Sequence, residues 1–131
     1  MNKFDLKNKT AIITGGAQGF GLDIAKKFLD YGASTRLWDI DEIELKKVKN
    51  EINNPNLEYD VIDVTNNKNV TSTIDKISKN SKIDILINNA GITGSTAELW
   101  NYNIDEWKKI VDINLHGTFY CCKAVVPIMI K

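Results

Sequence analysis

The segment Thr14 to Gly21, with the sequence TGGAQGFG, has the residue types and spacing best suited to binding an anionic ligand. A short apolar run, Thr10 to Ile13, precedes it and is typical of a buried β-strand. A segment with helical periodicity, Leu22 to Tyr31, follows it. A strand, a glycine-rich turn and a helix bring free backbone N–H groups and the positive end of a helix dipole to one point. This arrangement predicts phosphate binding.

The spacing of the glycines distinguishes this loop from the common dinucleotide fingerprint G-x-G-x-x-G. Ala17 stands where the second glycine of that fingerprint would be, and the pattern is instead T-G-x-x-x-G-x-G. Taken alone, such a loop is also compatible with a glycine-rich turn that binds nothing. The interpretation therefore depends on the elements around it.

Strand-like and helix-like segments alternate along the chain. The expected strands are 9–14, 35–39, 57–63 and 83–88, and the expected helices are 19–31, 41–52, 66–79 and 105–130. Four βα units in this order predict an α/β fold, a doubly wound parallel sheet of the Rossmann type. Asp41 is expected to cap the second helix.

Acidic and amide residues follow the expected strands. Asp39 ends the second strand, where a carboxylate can accept hydrogen bonds from the adenosine ribose and repel a 2′-phosphate, which favours NAD over NADP. Arg36 lies too early in that strand to reach the ribose. Asp63 ends the third strand and either meets the adenine or caps the following helix. Asn88 and Asn89 end the fourth strand, and their amides need partners if buried.

Composition narrows the classes of function. The net charge is zero and no basic patch is present, so we expect no nucleic-acid partner. No apolar run approaches the roughly 20 residues that span a membrane. The adjacent cysteines Cys121 and Cys122 are expected to stay reduced, and together with the absence of a secretory signal they indicate a cytoplasmic protein. No metal site is expected.

Five motifs in this order resemble those of the short-chain dehydrogenase/reductase family, and most closely its 3-oxoacyl-carrier-protein reductase branch. They are Thr14 to Gly21, Asp39, Asp63-Val64, Asn88 to Gly91 and Asp112 to Phe119. The resemblance implies a role for each. The pyrophosphate would lie along Gly15, Gln18, Gly19, Phe20 and Gly21, the ribose at Asp39 and Ile40, the adenine at Asp63 and Val64, and the cofactor above Asn89, Ala90 and Gly91. Asn88 would brace the central strands, and Asn114 would be the catalytic asparagine that holds a proton-relaying water.

The resemblance also implies an activity and partners. The activity is hydride transfer between NAD, preferred over NADP, and a secondary alcohol or ketone, such as a 3-oxoacyl thioester or a sugar- or polyol-like substrate. The full-length form would be a homo-oligomer, a dimer or tetramer built on the long helices. The only histidine, His116, has no catalytic counterpart in the family motif.

The catalytic Tyr and Lys of this family, spaced Tyr-x-x-x-Lys, have no match here, and no serine follows Ser95. In the family these residues lie beyond the segment that this sequence resembles. We therefore expect residues 1–131 to be the cofactor half of a longer enzyme, inactive alone and lacking the C-terminal strands. The alternatives are a non-catalytic nucleotide-binding or assembly module and, less favoured because the glycine loop has no acid, a methyltransferase.

Overall fold

The computed structural model describes residues 4–131, in which strands and helices alternate. The strands are β1 (Thr10–Thr14), β2 (Ser34–Asp39), β3 (Leu57–Val61) and β4 (Ile85–Ile87). The helices are α1 (Gly19–Asp30), α2 (Glu42–Ile52), α3 (Asn67–Ser78), α4 (Ile104–Val111) and α5 (Thr118–Met129), with a short 3₁₀ turn at Leu99–Asn101. A π-helical turn, Asp112–Gly117, joins α4 to α5.

The four strands form one parallel sheet in the order β3-β2-β1-β4. Ile12, at the centre of β1, aligns with Arg36 of β2 and Leu86 of β4. From β1 the chain adds β2 and then β3 on one side of the sheet. It then returns to add β4 on the other side of β1. This is the predicted α/β parallel sheet, with β4 as an edge strand among the residues described.

Helices cover both faces of the sheet. Neighbouring β1 side chains point to opposite faces, so the apolar residues of this strand give each face its own core. Ile12 packs with Val70 and Ile74 of α3 and with Cys121 and Val125 of α5. Ile13 packs on the other face, in a cluster completed by Ala25, Leu29, Leu37, Leu45, Val48 and Leu57. Buried strands with two apolar faces are typical of parallel sheets, and the two cores make the sheet doubly wound.

Two strands are shorter than predicted by more than one residue. β3 ends at Val61 rather than Asp63, because the chain turns where Asp63 Oδ1 accepts a hydrogen bond from the Thr65 N–H at 2.9 Å. β4 covers only Ile85–Ile87 of the predicted 83–88. Asp84 explains the late start: its carboxylate accepts the Thr10 N–H at 2.9 Å and lies 3.3 Å from Lys9 Nζ, so this side chain takes part in the edge pairing.

The predicted single helix over 105–130 is wrong in one respect, because the π-helical turn interrupts it. Two contacts with other segments are made at this turn. The Asn114 side chain is hydrogen-bonded to the backbone of Ile92, outside the helix. Gly117 lies against Val64, where any side chain would collide. π-Helical turns often occur at functional sites.

Within residues 4–131 no helix combines the length and the apolar character needed to cross a membrane.

Asp41 is the N-cap of α2, as predicted, since its Oδ1 accepts the Glu44 N–H at 3.0 Å.

Candidate functional site

A cleft of about 860 Å³ lies at the carboxyl edge of the sheet. This is the edge at which open α/β sheets bind ligands, and the volume is within the roughly 300–1,000 Å³ of small-molecule sites. A second cleft of about 190 Å³ lies near the opposite edge and includes Thr10 and Ser34, each at the start of its strand. The larger cleft is therefore the candidate site.

Most residues predicted to bind the cofactor line this cleft. They are Gly15, Gln18, Gly19, Phe20, Asp39, Ile40, Asp63, Val64, Asn89, Ala90 and Gly91. Gly21 and Asn114 are not part of its lining. Gly21 is buried just behind the loop, and Asn114 is hydrogen-bonded to Ile92, which does line the cleft. The strand ends bring together residues that are up to 76 positions apart in sequence.

The glycine loop is shaped by close backbone approach. Gly15 has φ of +61°, a conformation that side chains disfavour. A Cβ on Gly21 would lie 2.4 Å from the Gly15 carbonyl oxygen and 2.6 Å from Asn89 Nδ2, so only glycine allows α1 to begin this close to the loop. Gln18, the N-cap of α1, makes no side-chain capping bond, and the first turn contains no acidic residue. The free N–H groups of this helix end remain available to an anion.

Thr14 and Asn89 join the glycine loop to the end of β4. The buried Thr14 hydroxyl accepts hydrogen bonds from the N–H groups of Asn89, at 3.0 Å, and Ala90, at 2.9 Å. In return, Asn89 Nδ2 donates to the carbonyls of Thr14 and Gly15 at 3.1 and 3.0 Å. These four bonds fix the floor of the cleft.

The bracing role predicted for Asn88 is therefore performed by its neighbour. Asn88 is exposed, and its Nδ2 lies 3.3 Å from Cys122 Sγ on α5. Successive residues at the end of a strand point to opposite faces of the sheet, and Asn89 is the one that faces the loop.

Asp39 is tied to the glycine loop by its side chain. Its Oδ2 accepts the Ala17 N–H and its Oδ1 accepts the Asp41 N–H, both at 3.1 Å. The carboxylate does not cap α2, which Asp41 does. Asp39 is half-buried and lines the cleft beside the exposed Ile40. A carboxylate held in place by backbone donors keeps further lone pairs for ligand hydroxyl groups.

Asp63 and Val64 form the part of the cleft that follows β3. Asp63 Oδ1 accepts from both the N–H and the hydroxyl of Thr65, at 2.9 and 2.7 Å. The cap of α3 is Asn66, which accepts the Asn69 N–H, so the alternative prediction that Asp63 caps this helix is wrong. Val64 is 8% exposed and adds an apolar surface.

Arg36 is engaged away from the loop, as predicted. Its Nε and one terminal nitrogen bond the two oxygens of Asp60, at 2.5 and 3.1 Å, and Trp38 Nε1 donates to the same carboxylate at 3.0 Å. The pair raises the pKa of Arg36. Asp60 thereby fixes the buried ring of Trp38, a residue of the cleft lining.

Several lining residues were not among those predicted to bind the cofactor, and half of them lie in or next to α4. They are Trp38, Asp41, Ile62, Thr65, Ile92, Asp105, Lys108, Lys109, Asp112 and Ile113. The members at 105, 108, 109 and 112 recur at helical spacing and mark one face of α4. That periodicity is visible in the sequence, but the cleft that it faces is not.

Five aspartates and two lysines line the cleft, so its walls carry a net negative charge outside the helix N-terminus. Within residues 4–131, no cluster of three or more His, Cys, Asp or Glu is placed to hold a metal ion. The Cys121 thiol is not a candidate nucleophile, because burial raises its pKa to about 12.

The residues present fit a dinucleotide. A helix N-terminus without an acid suits a pyrophosphate, a fixed carboxylate suits ribose hydroxyls, and an apolar segment beside Asp63 suits a planar base. The close approach at Gly21 and Gly15 lets backbone, rather than side chains, form the surface at the N-terminus of α1.

The family model described as short chain dehydrogenase matches residues 9–131. A 2-dehydro-3-deoxy-L-rhamnonate dehydrogenase (NAD(+)) of Sphingomonas sp. (strain SKA58) is 36% identical over 94% of this chain and 49% of its own length. A 3-oxoacyl-acyl-carrier-protein reductase of Chlamydia muridarum is 35% identical over 96% of this chain and 52% of its own.

A solved structure agrees with the fold. The crystal structure of gox2181 superposes with a TM-score of 0.90 at 34% identity, covering 95% of this chain and 50% of that one. The chain thus spans about half the length of the relatives it matches.

Proposed function

The chain belongs to the short-chain dehydrogenase family, and we propose that it forms the cofactor-binding half of an NAD-dependent oxidoreductase. The observation that carries the proposal is the single cleft in which the free N-terminus of α1, the Asp39 carboxylate and the Asp63-Val64 segment meet. In this proposal they receive the pyrophosphate, the ribose and the adenine, with Asn89, Ala90 and Gly91 below the cofactor.

The preference for NAD over NADP is proposed from charge. Asp39 would repel a 2′-phosphate, and the four other aspartates along the cleft add to that repulsion. The name of the Sphingomonas relative includes NAD(+), which supports the same preference here.

The nicotinamide supplies hydride transfer when bound. The chain's own residues bind and orient the cofactor. The α1 N-terminus offsets the pyrophosphate charge, and Asp39 accepts hydrogen bonds from the ribose hydroxyls. The Thr14–Asn89 bonds keep the floor of the cleft rigid. Asn114 is proposed as the catalytic asparagine of the family, which holds a proton-relaying water. Its side chain uses one lone pair and one N–H on the Ile92 backbone, and its backbone carbonyl accepts the Thr118 hydroxyl at 3.0 Å, so each of these groups keeps further hydrogen-bonding capacity for a water.

The proposed substrate is a secondary alcohol or ketone. The names of the two relatives support a 3-oxoacyl thioester or a sugar-like molecule. The loop from Thr93 to Tyr102 is the part of this chain proposed to approach it. Tyr102 is half-buried and packs edge-to-face on Trp107, whereas Trp100 is exposed and free to contact a ligand.

Calorimetric titration of the 131-residue chain with NAD, NADP and ADP-ribose tests the proposal, beside a turnover assay and the intact mass of the natural gene product. We expect NAD and ADP-ribose to bind at one site, NADP to bind more weakly, and the chain alone to give no turnover. Asp75, an exposed aspartate of α3 outside the cleft, provides the matched control: Asp75→Ala should leave binding unchanged. A folded chain that binds neither NAD nor ADP-ribose would refute the proposal.

A second candidate is a non-catalytic nucleotide-binding or assembly module. Large apolar side chains remain exposed along α4 and α5, namely Ile104, Trp107, Leu115, Phe119, Val126 and Ile130. Such surfaces commonly mark interfaces, and we propose a homo-oligomer, a dimer or tetramer, built on them. The two candidates differ in turnover by the natural gene product: a module binds NAD without reducing it, and sedimentation velocity gives its oligomeric state.

A further inference from the structure

Gly117 and Val64 approach each other more closely than any side chain at position 117 would permit. A Cβ on Gly117 would lie 2.6 Å from Val64 Cγ2 and 3.1 Å from Val64 Cβ. Gly117 is buried at the end of the π-helical turn, and Val64 follows β3. Because protein interiors are close-packed, a methyl group here must displace one of the two partners.

The helix side of this contact is the rigid one. Cys121 and Val125, one and two turns further along α5, are completely buried in the core with Ile12. Asn114, three residues before Gly117, is bonded twice to Ile92. Moving the helix outward would disturb all of these contacts.

The Val64 side borders open space. Val64 lines the large cleft, as do Ile62 before it and Ile113 in the π-helical turn. Ile62 and Val64 belong to one core cluster against which Ile113 packs, so the three give the cleft an apolar section, called here the slot. A displaced Val64 side chain can therefore move into the slot at less cost than moving α5.

We propose that Gly117 is a positioning residue that sets the width of this slot through Val64, and so determines whether a planar purine base fits there. The inference rests on the proposed function, which puts the adenine against Asp63 and Val64. Gly117 touches no ligand itself. Because Gly117 has no side chain, Val64 can pack against the helix instead of extending further into the cleft.

The test compares the two halves of the dinucleotide. In the 131-residue chain, Gly117→Ala should weaken binding of AMP at least tenfold and leave binding of nicotinamide mononucleotide within about twofold. The double variant Gly117→Ala/Val64→Ala removes the colliding methyl groups, so its AMP affinity should recover to that of the Val64→Ala single variant, which itself lacks part of the apolar surface for the base. Lys123→Ala, an exposed change on α5, should alter neither. Equal losses for both mononucleotides, or no recovery in the double variant, would overturn the proposal.

A structural measurement keeps the inference independent of the proposed function. Methyl NMR of Val64, or a crystal structure of Gly117→Ala, should show the Val64 side chain moved into the cleft with α5 in place. A shifted α5 with Val64 unmoved would refute the inference. If the wild-type chain binds no AMP, the proposed function fails, and the position of Val64 still decides whether Gly117 sets the slot.

Discussion

The side chain of Asn114 is bonded to the backbone of Ile92 in both directions. Its Oδ1 accepts the Ile92 N–H at 2.9 Å, and its Nδ2 donates to the Ile92 carbonyl at 2.8 Å. The pair ties the segment after β4 to the π-helical turn. Gly91 leaves room for it, because a Cβ there would lie 3.2 Å from Asn114 Oδ1.

Replacing Asn114 should loosen this connection. Asn114→Ala removes both hydrogen bonds, and we expect the free energy of unfolding to fall by about 1–2 kcal/mol, since each bond contributes roughly 0.5–1.5 kcal/mol. Asn114→Asp keeps the acceptor and loses the donor, so its effect should be intermediate at neutral pH. Urea unfolding gives the energies. Hydrogen exchange at the Ile92 amide gives the local effect, and unchanged exchange in Asn114→Ala would contradict the assignment.

The same pair shows what the sequence could and could not reveal. One π-helical turn shifts the hydrophobic pattern by only a single residue, so the pattern over 105–130 still predicts a single helix. The interruption depends on contacts with Ile92 and Val64, which lie 22 and 53 positions from Asn114 and Gly117. By contrast, the parallel sheet follows from the local alternation of strand and helix, which needs no distant contact.

Asp39 should control the choice between NAD and NADP. Asp39→Ala removes the carboxylate that faces the cleft, and we expect the ratio of NAD to NADP affinity to fall at least tenfold, which corresponds to about 1.4 kcal/mol. It also frees the Ala17 N–H, to which the carboxylate is bonded at 3.1 Å. Titration with both cofactors measures the ratio, and the same ratio in wild type and variant would refute the ribose assignment.

The site was predictable where short motifs follow strands, and not where it depends on which side chain points inward. Asn88, predicted to brace the central strands, and Asn89 are adjacent and identical in type, so residue type cannot tell which of them bonds to Thr14 and Gly15. The pleat of the chain after β4 decides it, and Asn89 takes the role. The face of α4 that lines the cleft was likewise hidden, because its charged residues look like an ordinary exposed surface.

Thr14 should be needed for stability rather than for ligand contact. Thr14→Val leaves the N–H groups of Asn89 and Ala90 without their acceptor in a part-buried site, and we expect a loss of about 2–4 kcal/mol in unfolding free energy. Thr14→Ser keeps the hydroxyl and loses one methyl group, so its loss should be near 1 kcal/mol. Chemical denaturation of both variants measures the difference. Equal losses would show that the hydroxyl is not the stabilising group.

Asp84 should make the edge of the sheet sensitive to acid. Its pKa is lowered in the folded protein, first because the carboxylate accepts the Thr10 N–H and then because Lys9 lies nearby. A lowered folded-state pKa means that the carboxylate stabilises the fold above its ordinary value of 3.8, and that this stabilisation is lost as the pH falls through the folded-state pKa. We expect wild type to exceed Asp84→Asn in unfolding free energy by about 1 kcal/mol or less at pH 7, because the group is partly screened by solvent. The difference should shrink below pH 4 in urea titrations, and a gap that widens in acid would contradict this role for Asp84.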